Sequence, residues 1–229
     1  VQQDQNSDGG YQRSDMLYTI QSVSYSDGSS ASLEFKHLPA KVVVNLKADT
    51  QNGITEEEVK NATVTLVSQA LISGAIAVDE EGKNCTVEQA ARGSEGITPQ
   101  KLDLSASGYQ QTVQALVVPQ QMKDMKFIKV TIGASTAARD YYYTPTTEVD
   151  GKLETGKCYQ YAITVKKEGL QVESVSASWD EETSEDDFES AIFKVHLPAF
   201  NAPENTSNYK VTNAYDVVLT AQDDGTYSV

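Results

Sequence analysis

The densest group of side chains that could do chemistry in this sequence is an acidic run near its C-terminal end. Seven Asp and Glu residues fall within residues 180–190, in the string DEETSEDDFES. Carboxylate oxygens are the ligands that Ca²⁺ prefers, but the Asp-x-Asp-x-Asp-Gly spacing of a calcium loop is missing here. The run therefore predicts a solvated linker or exposed loop and not a metal site.

Histidine and cysteine are too sparse and too scattered to predict a reactive centre. The sequence contains two His residues, His37 and His196, and two Cys residues, Cys85 and Cys158. Neither His lies beside a nucleophile motif or a Gly-rich phosphate loop, and neither Cys has the CxxC spacing of a zinc site. We interpret both His residues as structural or surface groups, and the Cys residues as either two incidental thiols or one disulfide. No catalytic residue, metal or cofactor is predicted.

Two further patterns leave functional alternatives open. The string RDYYY places Tyr141, Tyr142 and Tyr143 together, as an adhesive or sugar-stacking platform would require, although we favour ordinary aromatic residues of a sandwich strand. A glycoside hydrolase needs two carboxylates brought together in space, and nothing in the sequence singles out two of the 33 acidic residues. A carbohydrate-binding module and an extracytoplasmic hydrolase are therefore the alternatives to a structural role.

The bulk composition is that of an acidic globular chain. Its 229 residues are enough to bury a core, and no apolar run approaches the roughly 18 to 20 residues of a membrane-spanning helix. A formal net charge of −15 argues against a nucleic-acid partner, because such binding depends on Lys and Arg. Since Val1 is not Met and the first residues are polar, we expect trimming from a longer precursor.

The elements that would position these residues are strands, because apolar residues recur with period two. The alternation predicts one buried and one wet face on each strand, with Lys41, Asn45 and Lys47 on a wet face. The inward residues are expected to be Val42, Val44, Leu46, Val64, Leu66, Val117, Ile128, Val130, Tyr161, Ile163 and Val165. Thr55 and Glu58 form a capping box, which predicts one or two helical turns. Residues 149–165 are the clearest predicted hairpin.

Short strands separated by Gly-containing turns predict an all-β protein, an antiparallel β-sandwich with a few short helical turns. We divide the chain into a polar N-terminal segment, the sandwich, an acidic linker or loop, and C-terminal strands. Their bounds are 1–28, 29–179, 180–190 and 191–229.

The last residues, NAYDVVLTAQDDGTYSV (213–229), predict a strand, an Asp-Gly turn and the start of another strand. Tyr215, Val217, Leu219 and Ala221 alternate along the first strand, so one face could fill pockets while the main chain pairs with a sheet edge of another subunit. Alternatively, residues 191–229 fold back as extra strands of the same sandwich or as part of a further small domain, or their end is a product of truncation.

Several of these strand patterns, taken in order, resemble the fimbrillin family, the subunits of type V pili and related surface proteins of Gram-negative anaerobes. The resemblance covers roughly residues 11–179. It rests on SDMLYT (14–19), LEFKHLPAKVVVNL (33–46), VKNATVTL (59–66), VQALVVPQQ (113–121), FIKVTIG (127–133), LETGKCYQYAITVKKEGLQV (153–172) and SASW (176–179). None of these segments carries a catalytic residue, so the ordered set gives the resemblance its specificity.

The resemblance implies a Greek-key, transthyretin-like β-sandwich that matches mainly the family's C-terminal domain. It also implies export as a lipoprotein precursor, a place at the outer membrane and in a fimbrium, and assembly with other fimbrial subunits. A host or bacterial surface protein or glycan is the implied adhesion partner. Family members usually carry a further N-terminal sandwich domain, of which residues 1–28 would be a remnant or a connection. Neither Arg13 nor Arg92 is assigned the protease site that matures some members.

Overall fold

The structure, a computed structural model, describes residues 1–20, 31–33, 35–71, 75–87, 95–133, 137–178, 195–197, 220–221 and 227–228. In these ranges the helices are α1 (Glu56–Lys60), α2 (Glu148–Gly151) and the 3-10 turns Gln12–Ser14 and Thr50–Asn52. None of the helices in these ranges has the length and apolar character needed to cross a bilayer. The predicted all-β class is confirmed.

The strands of these ranges follow in chain order. They are β1 (Leu17–Tyr18), β2 (Ala31–Leu33), β3 (Lys36–His37), β4 (Ala40–Ala48), β5 (Thr63–Gln69), β6 (Ile76–Val78), β7 (Cys85–Val87), β8 (Glu95–Ile97), β9 (Gln100–Lys101), β10 (Gln111–Val117), β11 (Gln120–Gln121), β12 (Ile128–Ile132), β13 (Arg139–Tyr143), β14 (Lys152–Leu153), β15 (Lys157–Lys166), β16 (Gly169–Ser178), β17 (Val195–Leu197), β18 (Thr220–Ala221) and β19 (Tyr227–Ser228).

Two sheets enclose the core. One has the strand order β16-β15-β4-β10-β9, and the other has the order β13-β12-β5-β8. Their neighbouring strands pair antiparallel except β15 and β4, which run parallel from Cys158 opposite Lys41 to Val165 opposite Ala48. The expectation of a wholly antiparallel sheet is wrong for this pair. The long connection between β4 and β15, which carries most other strands, brings β15 into the sheet from the same end as β4.

The core between the sheets is made of the alternating residues that the sequence predicts. All eleven predicted core residues are buried in one apolar cluster, and this prediction is confirmed. Tyr161 lies at its centre, with its ring 5.6 Å from that of Phe127 in an edge-on arrangement and 5.8 Å from that of Tyr143. Because edge-on aromatic pairs are favourable beyond their buried area, this trio fixes how the two sheets pack.

The outer face of β4 is covered at Lys41 and Asn45, contrary to the prediction, whereas Lys47 is exposed as predicted. Lys41 and Asn45 are only 5% and 8% exposed. Asn45 accepts a hydrogen bond from the Thr112 hydroxyl of β10 at 2.7 Å. Tyr11, from the N-terminal segment, packs against Leu116 on the same outer face. Periodicity cannot reveal this cover, because a covering segment distant in sequence leaves no trace in the strand pattern.

Of two predicted local features, the capping box is confirmed and the hairpin is wrong. Thr55 and Glu58 make the predicted capping box at the start of α1. The predicted hairpin over 149–165 does not form, because β14 pairs with β11 and β15 pairs with β16 and β4. Gly151 does not form a hairpin turn. It lets the backbone pack closely against Gln121, because a Cβ at this position would lie 2.3 Å from the Gln121 side-chain oxygen.

The two cysteines are buried at separate places. Cys85 lies in β7, and Cys158 lies in β15 beside Leu116. No disulfide joins them. Burial raises the pKa of the Cys85 thiol, and the nearby Asp79 carboxylate adds to this effect. Burial and a raised pKa are typical of a cysteine that packs in the structure and not of a reactive thiolate.

The C-terminal strands are short in the ranges described. β17 pairs antiparallel with β2, and β18 pairs antiparallel with β19 on either side of the predicted Asp-Gly turn. The acidic residues 180–190 lie outside the described residues. The four predicted domain bounds stay predictions.

Substitution of Leu46 by Ala should lower the free energy of unfolding by about 2 to 5 kcal/mol, because Leu46 is fully buried between the sheets. Leu104→Ala is the matched control, since Leu104 is 86% exposed, and it should change stability by less than about 0.5 kcal/mol. Urea unfolding followed by circular dichroism measures both. Equal effects of the two substitutions would contradict the assigned core.

Replacing Cys85 and Cys158 together by Ser should leave a folded protein that loses at most about 1 to 3 kcal/mol. The loss would come from placing two hydroxyl groups at buried positions. The double Ala variant is the control that keeps both sites apolar. Loss of a bound metal, measured by elemental analysis of the purified protein, or failure of both variants to fold would contradict this interpretation.

Candidate assembly edges and an exposed aromatic site

The N-terminal segment completes an edge of the five-stranded sheet through one side chain. β9 pairs with β10 only at Val113 and Gln114, so it does not reach Leu116. There the buried Gln5 amide donates to the Leu116 carbonyl at 2.7 Å and accepts from the Leu116 N–H at 2.8 Å. A primary amide carries the same donor and acceptor as a peptide group. Gln5 therefore takes the place of a residue in a neighbouring strand.

The backbone of the same segment pairs with the four-stranded sheet. Thr98, which follows β8, donates to the Gln3 carbonyl at 2.8 Å and accepts from the Gln5 N–H at 2.9 Å. This pairing forms a parallel bridge centred on Asp4. The segment then turns back tightly at Gly10, where a Cβ would lie 2.3 Å from the Asp4 carbonyl. Residues 3–5 thus hydrogen-bond to both sheets along one side of the sandwich, which we call the closed side.

The opposite side of the sandwich carries the other two edge strands, β16 and β13. The Tyr141 hydroxyl donates to the Lys167 carbonyl in the turn before β16, at 3.2 Å. This contact brings the two edges together. Among the strands that the structure describes, none pairs with the outer edge of β16 or of β13. We call this the open side.

The residues proposed from the sequence as an assembly strand are mostly beyond what the structure describes. Tyr215, Val217 and Leu219 lie outside the described residues. Ala221 lies in β18 and is paired with Tyr227 of β19. Their role in assembly stays a prediction.

The three consecutive tyrosines do not form one platform. Tyr141 and Tyr143 are half-buried and pack against the core, as alternate residues of a strand must. Burial raises the pKa of Tyr143, and it does so more strongly for Tyr161 beneath it. Tyr142 points to the other face of β13 and is 38% exposed. The adhesive role that the sequence leaves open as an alternative for the trio would thus depend on Tyr142 alone, and it stays a prediction.

Charged and polar groups surround Tyr142 on the outer face of the four-stranded sheet. The Lys126 ammonium lies 3.9 Å from the centre of the Tyr142 ring, a cation–π contact. The Tyr142 hydroxyl is 3.5 Å from Asp140, whose other oxygen accepts from Thr131 at 2.6 Å. The Thr131 hydrogen bond, helped by Lys129 at 3.8 Å, lowers the pKa of Asp140. An aromatic ring beside a fixed carboxylate and two ammonium groups could bind a polar ligand.

Two adjoining grooves lie at the end of the sandwich where β4 begins. The smaller, of about 180 Å³, is lined mainly by apolar residues that include Met16, Leu38 and Pro119. The larger, of about 510 Å³, is more polar and shares Val87 and Pro119 with the first.

The described histidine has a structural position. His37 Nδ1 lies 2.8 Å from an Asp15 oxygen, and this contact ties β3 to the residues before β1. His196 lies in β17, of which only the backbone is described. Within the part of the chain that the structure describes, no three His, Cys, Asp or Glu side chains are grouped so that they could hold a metal.

Two contacts, that of Gln5 with Leu116 and that of Lys126 with Tyr142, were not predicted from the sequence. Gln5 lies in a polar segment without periodicity, and no local signal marks an amide that pairs with a strand 111 residues away. Lys126 precedes β12 and stacks on β13, so its role depends on strand pairing. The alternation along RDYYY could have identified Tyr142 as the outward residue, because Tyr141 and Tyr143 share a face.

Comparison with solved structures gives distant matches. A candidate cell adhesion protein from Bacteroides uniformis is 19% identical, with 64% of this chain and 52% of that chain covered and a TM-score of 0.45. A candidate cell adhesion protein from Bacteroides ovatus is 20% identical, with 64% and 47% covered and a TM-score of 0.42. The tip fimbrial protein Mfa3 from Porphyromonas gingivalis, with a C-terminal truncation, is 9% identical, with 63% and 52% covered and a TM-score of 0.37.

The chain spans about half the length of these solved structures. No curated protein matches it. The model of the fimbrillin-like family, in contrast, matches residues 1–179, which is more than half of the 229 residues. The chain therefore belongs to the fimbrillin-like family.

Proposed function

We propose that this chain is a non-enzymatic structural or adhesion subunit of a fimbria, exported to the cell surface as a lipoprotein precursor and anchored or assembled at the outer membrane. The observation that carries the proposal is the fimbrillin-like match over residues 1–179. Its partners would be other fimbrial subunits of the same or a related type. A host or bacterial surface protein or glycan would be the target of adhesion.

We further propose that the subunits assemble by strand complementation. The closed side supports this, because the N-terminal segment there hydrogen-bonds to both sheets, at Leu116 and at Thr98. We therefore expect an edge of this sandwich to accept a strand that lies far away in sequence. An unpaired sheet edge favours the addition of a strand, because its exposed N–H and C=O groups can hydrogen-bond with the added backbone.

The strand we propose as the donor contains Tyr215, Val217 and Leu219, with Ala221 at its end. If each large side chain contributes about 1.5 to 3 kcal/mol on burial, the three give a gross gain of roughly 5 to 9 kcal/mol before ordering costs. Main-chain pairing would add to this gain. The acidic residues 180–190 would serve as the tether between the sandwich and the donor strand.

Deletion of residues 213–229 should leave the melting temperature of the monomer nearly unchanged and abolish polymer formation, because the donor strand is not part of the core. Leu219→Asp should act in the same way by placing a charge in an apolar pocket. Thr220→Asp is the matched control, since the alternation in the sequence predicts that Thr220 lies on the other face of the strand from Leu219, and this variant should still polymerise. Differential scanning calorimetry and size-exclusion chromatography measure the two properties. A large drop in melting temperature on deletion would show that the strand belongs to its own sandwich.

A second candidate function, glycan binding, is favoured by the exposure of Tyr142 on the outer face. A sugar ring could stack on the Tyr142 ring if it displaced the Lys126 ammonium from the ring face, while Asp140 and Lys129 provide hydrogen bonds. This candidate places adhesion on the sandwich itself and leaves assembly to the C-terminal strand.

Tyr142→Ala should abolish binding on a glycan array, whereas Tyr142→Phe should retain at least part of it because the ring is kept. Neither change should affect folding by more than about 0.5 kcal/mol, since the side chain is at the surface. Absence of any glycan binding by the unmodified protein, or equal binding by the Ala variant, would contradict the proposal that Tyr142 binds a glycan. The proposed structural role in a fimbria would be unaffected.

A further inference from the structure

The turn between β4 and α1 contains the one Asn in the sequence that is followed directly by Gly, Asn52-Gly53. The 3-10 turn Thr50–Asn52 ends at this pair, and both residues are exposed. A Cβ built on Gly53 would meet no heavy atom within 4 Å. The space beside the Asn52-Gly53 peptide bond is therefore open to solvent.

This pair of residues can react with itself in water. The backbone nitrogen of Gly53 attacks the side-chain carbonyl carbon of Asn52, and a five-membered succinimide ring forms. The side-chain nitrogen of Asn52 leaves as ammonia, with the proton that the backbone nitrogen gives up. Water then opens the ring. Cleavage at the former side-chain carbonyl gives aspartate, and cleavage at the backbone carbonyl gives isoaspartate. The whole reaction consumes one water and releases one ammonia, without an oxidant or a cofactor.

We propose that Asn52 is a site of spontaneous deamidation in the folded protein, with aspartate and isoaspartate as its products. Gly favours the attack because it has no Cβ to hinder the approach of its nitrogen to the side chain. The exposed turn leaves room for the ring and for the water that opens it. This covalent modification does not depend on the proposed role in a fimbria.

Asn61, at the end of α1, shows which feature sets Asn52 apart. Both Asn side chains are exposed, and each donates a hydrogen bond of 2.6 Å to a carboxylate, Asn52 to Asp49 and Asn61 to Glu57. The two side chains are therefore restrained alike. They differ in the residue that follows, and so in the nitrogen that would attack.

The residue that follows Asn61 is Ala62, which is 5% exposed. Its backbone nitrogen donates to the Val59 carbonyl at 3.1 Å, and its Cβ adds bulk next to the reacting atoms. Attack by this nitrogen would require breaking that hydrogen bond in a closely packed place. We therefore expect Asn61 to stay unmodified while Asn52 reacts.

The modification would place two negative charges together in the turn. The Asn52 amide now donates to the Asp49 carboxylate, and a second carboxylate at position 52 would replace this hydrogen bond with repulsion. The turn is tied to the core on both sides, since the Asp49 N–H donates to the Val165 carbonyl at 3.0 Å and Ile54 is 1% exposed. Isoaspartate would also lengthen the backbone between these anchors by one carbon atom. Both products should therefore lower the melting temperature.

Incubation of the full chain at neutral pH, followed by mass spectrometry of its proteolytic peptides, tests the proposal. The peptide with Asn52 should gain about 1 Da per molecule, as expected when an amide becomes a carboxylate. It should do so about tenfold faster than the peptide with Asn61, because only Asn52 precedes Gly. Enzymatic methylation of isoaspartate identifies the second product. Asn52→Gln keeps an amide at this position but would need a larger ring, so this variant should not gain mass there.

The same incubation in urea, where the chain is unfolded, shows whether the folded turn permits the reaction. Asn52→Asp imitates one product and should lower the melting temperature by about 2 to 4 °C. The unmodified protein should approach this value as Asn52 reacts. Equal rates at Asn52 and Asn61 would overturn the proposal. An Asn52 that reacts in urea but stays intact in the folded chain would overturn it as well.

Discussion

The constraint on which this structure depends is that the backbone groups at the edges of its sheets need partners. The N–H and C=O groups of inner strands pair with both neighbours, but each sheet ends in two strands with one side unpaired. On the closed side the N-terminal segment supplies the missing partners, with the Gln5 amide on Leu116 and the backbone of residues 3–5 on Thr98. The chain does so with few residues, because an amide side chain can replace a peptide group.

The same segment covers part of the outer face of the five-stranded sheet, whose middle strand is buried on both faces. Every residue of β10 is buried, although one face lies on the core and the other faces away from it. Tyr11 covers Leu116 on the outer face, and Asn45 and Thr112 satisfy each other beside it. The N-terminal segment, whose sequence is polar and without periodicity, therefore packs as a part of the sandwich. Its removal would expose both an edge and a face.

The sequence predicts what is local and periodic. The eleven core residues and the capping box of Thr55 and Glu58 follow from spacing alone, and both are found. Strand pairing is decided by contacts far apart in sequence, so the parallel pairing of β15 with β4 and the partner of β14 could not be read from local patterns. For the candidate sites, alternation separates Tyr142 from Tyr141 and Tyr143, but the stacking of Lys126 on its ring needs the folded sheet.

The proposed strand complementation has a consequence for assembly that follows from its symmetry. A strand donated from one subunit to the next joins unlike surfaces, so each new subunit presents the same vacant edge again and the chain of subunits grows. Such head-to-tail growth has no built-in end, so strand complementation by itself would extend a fibre without setting its length.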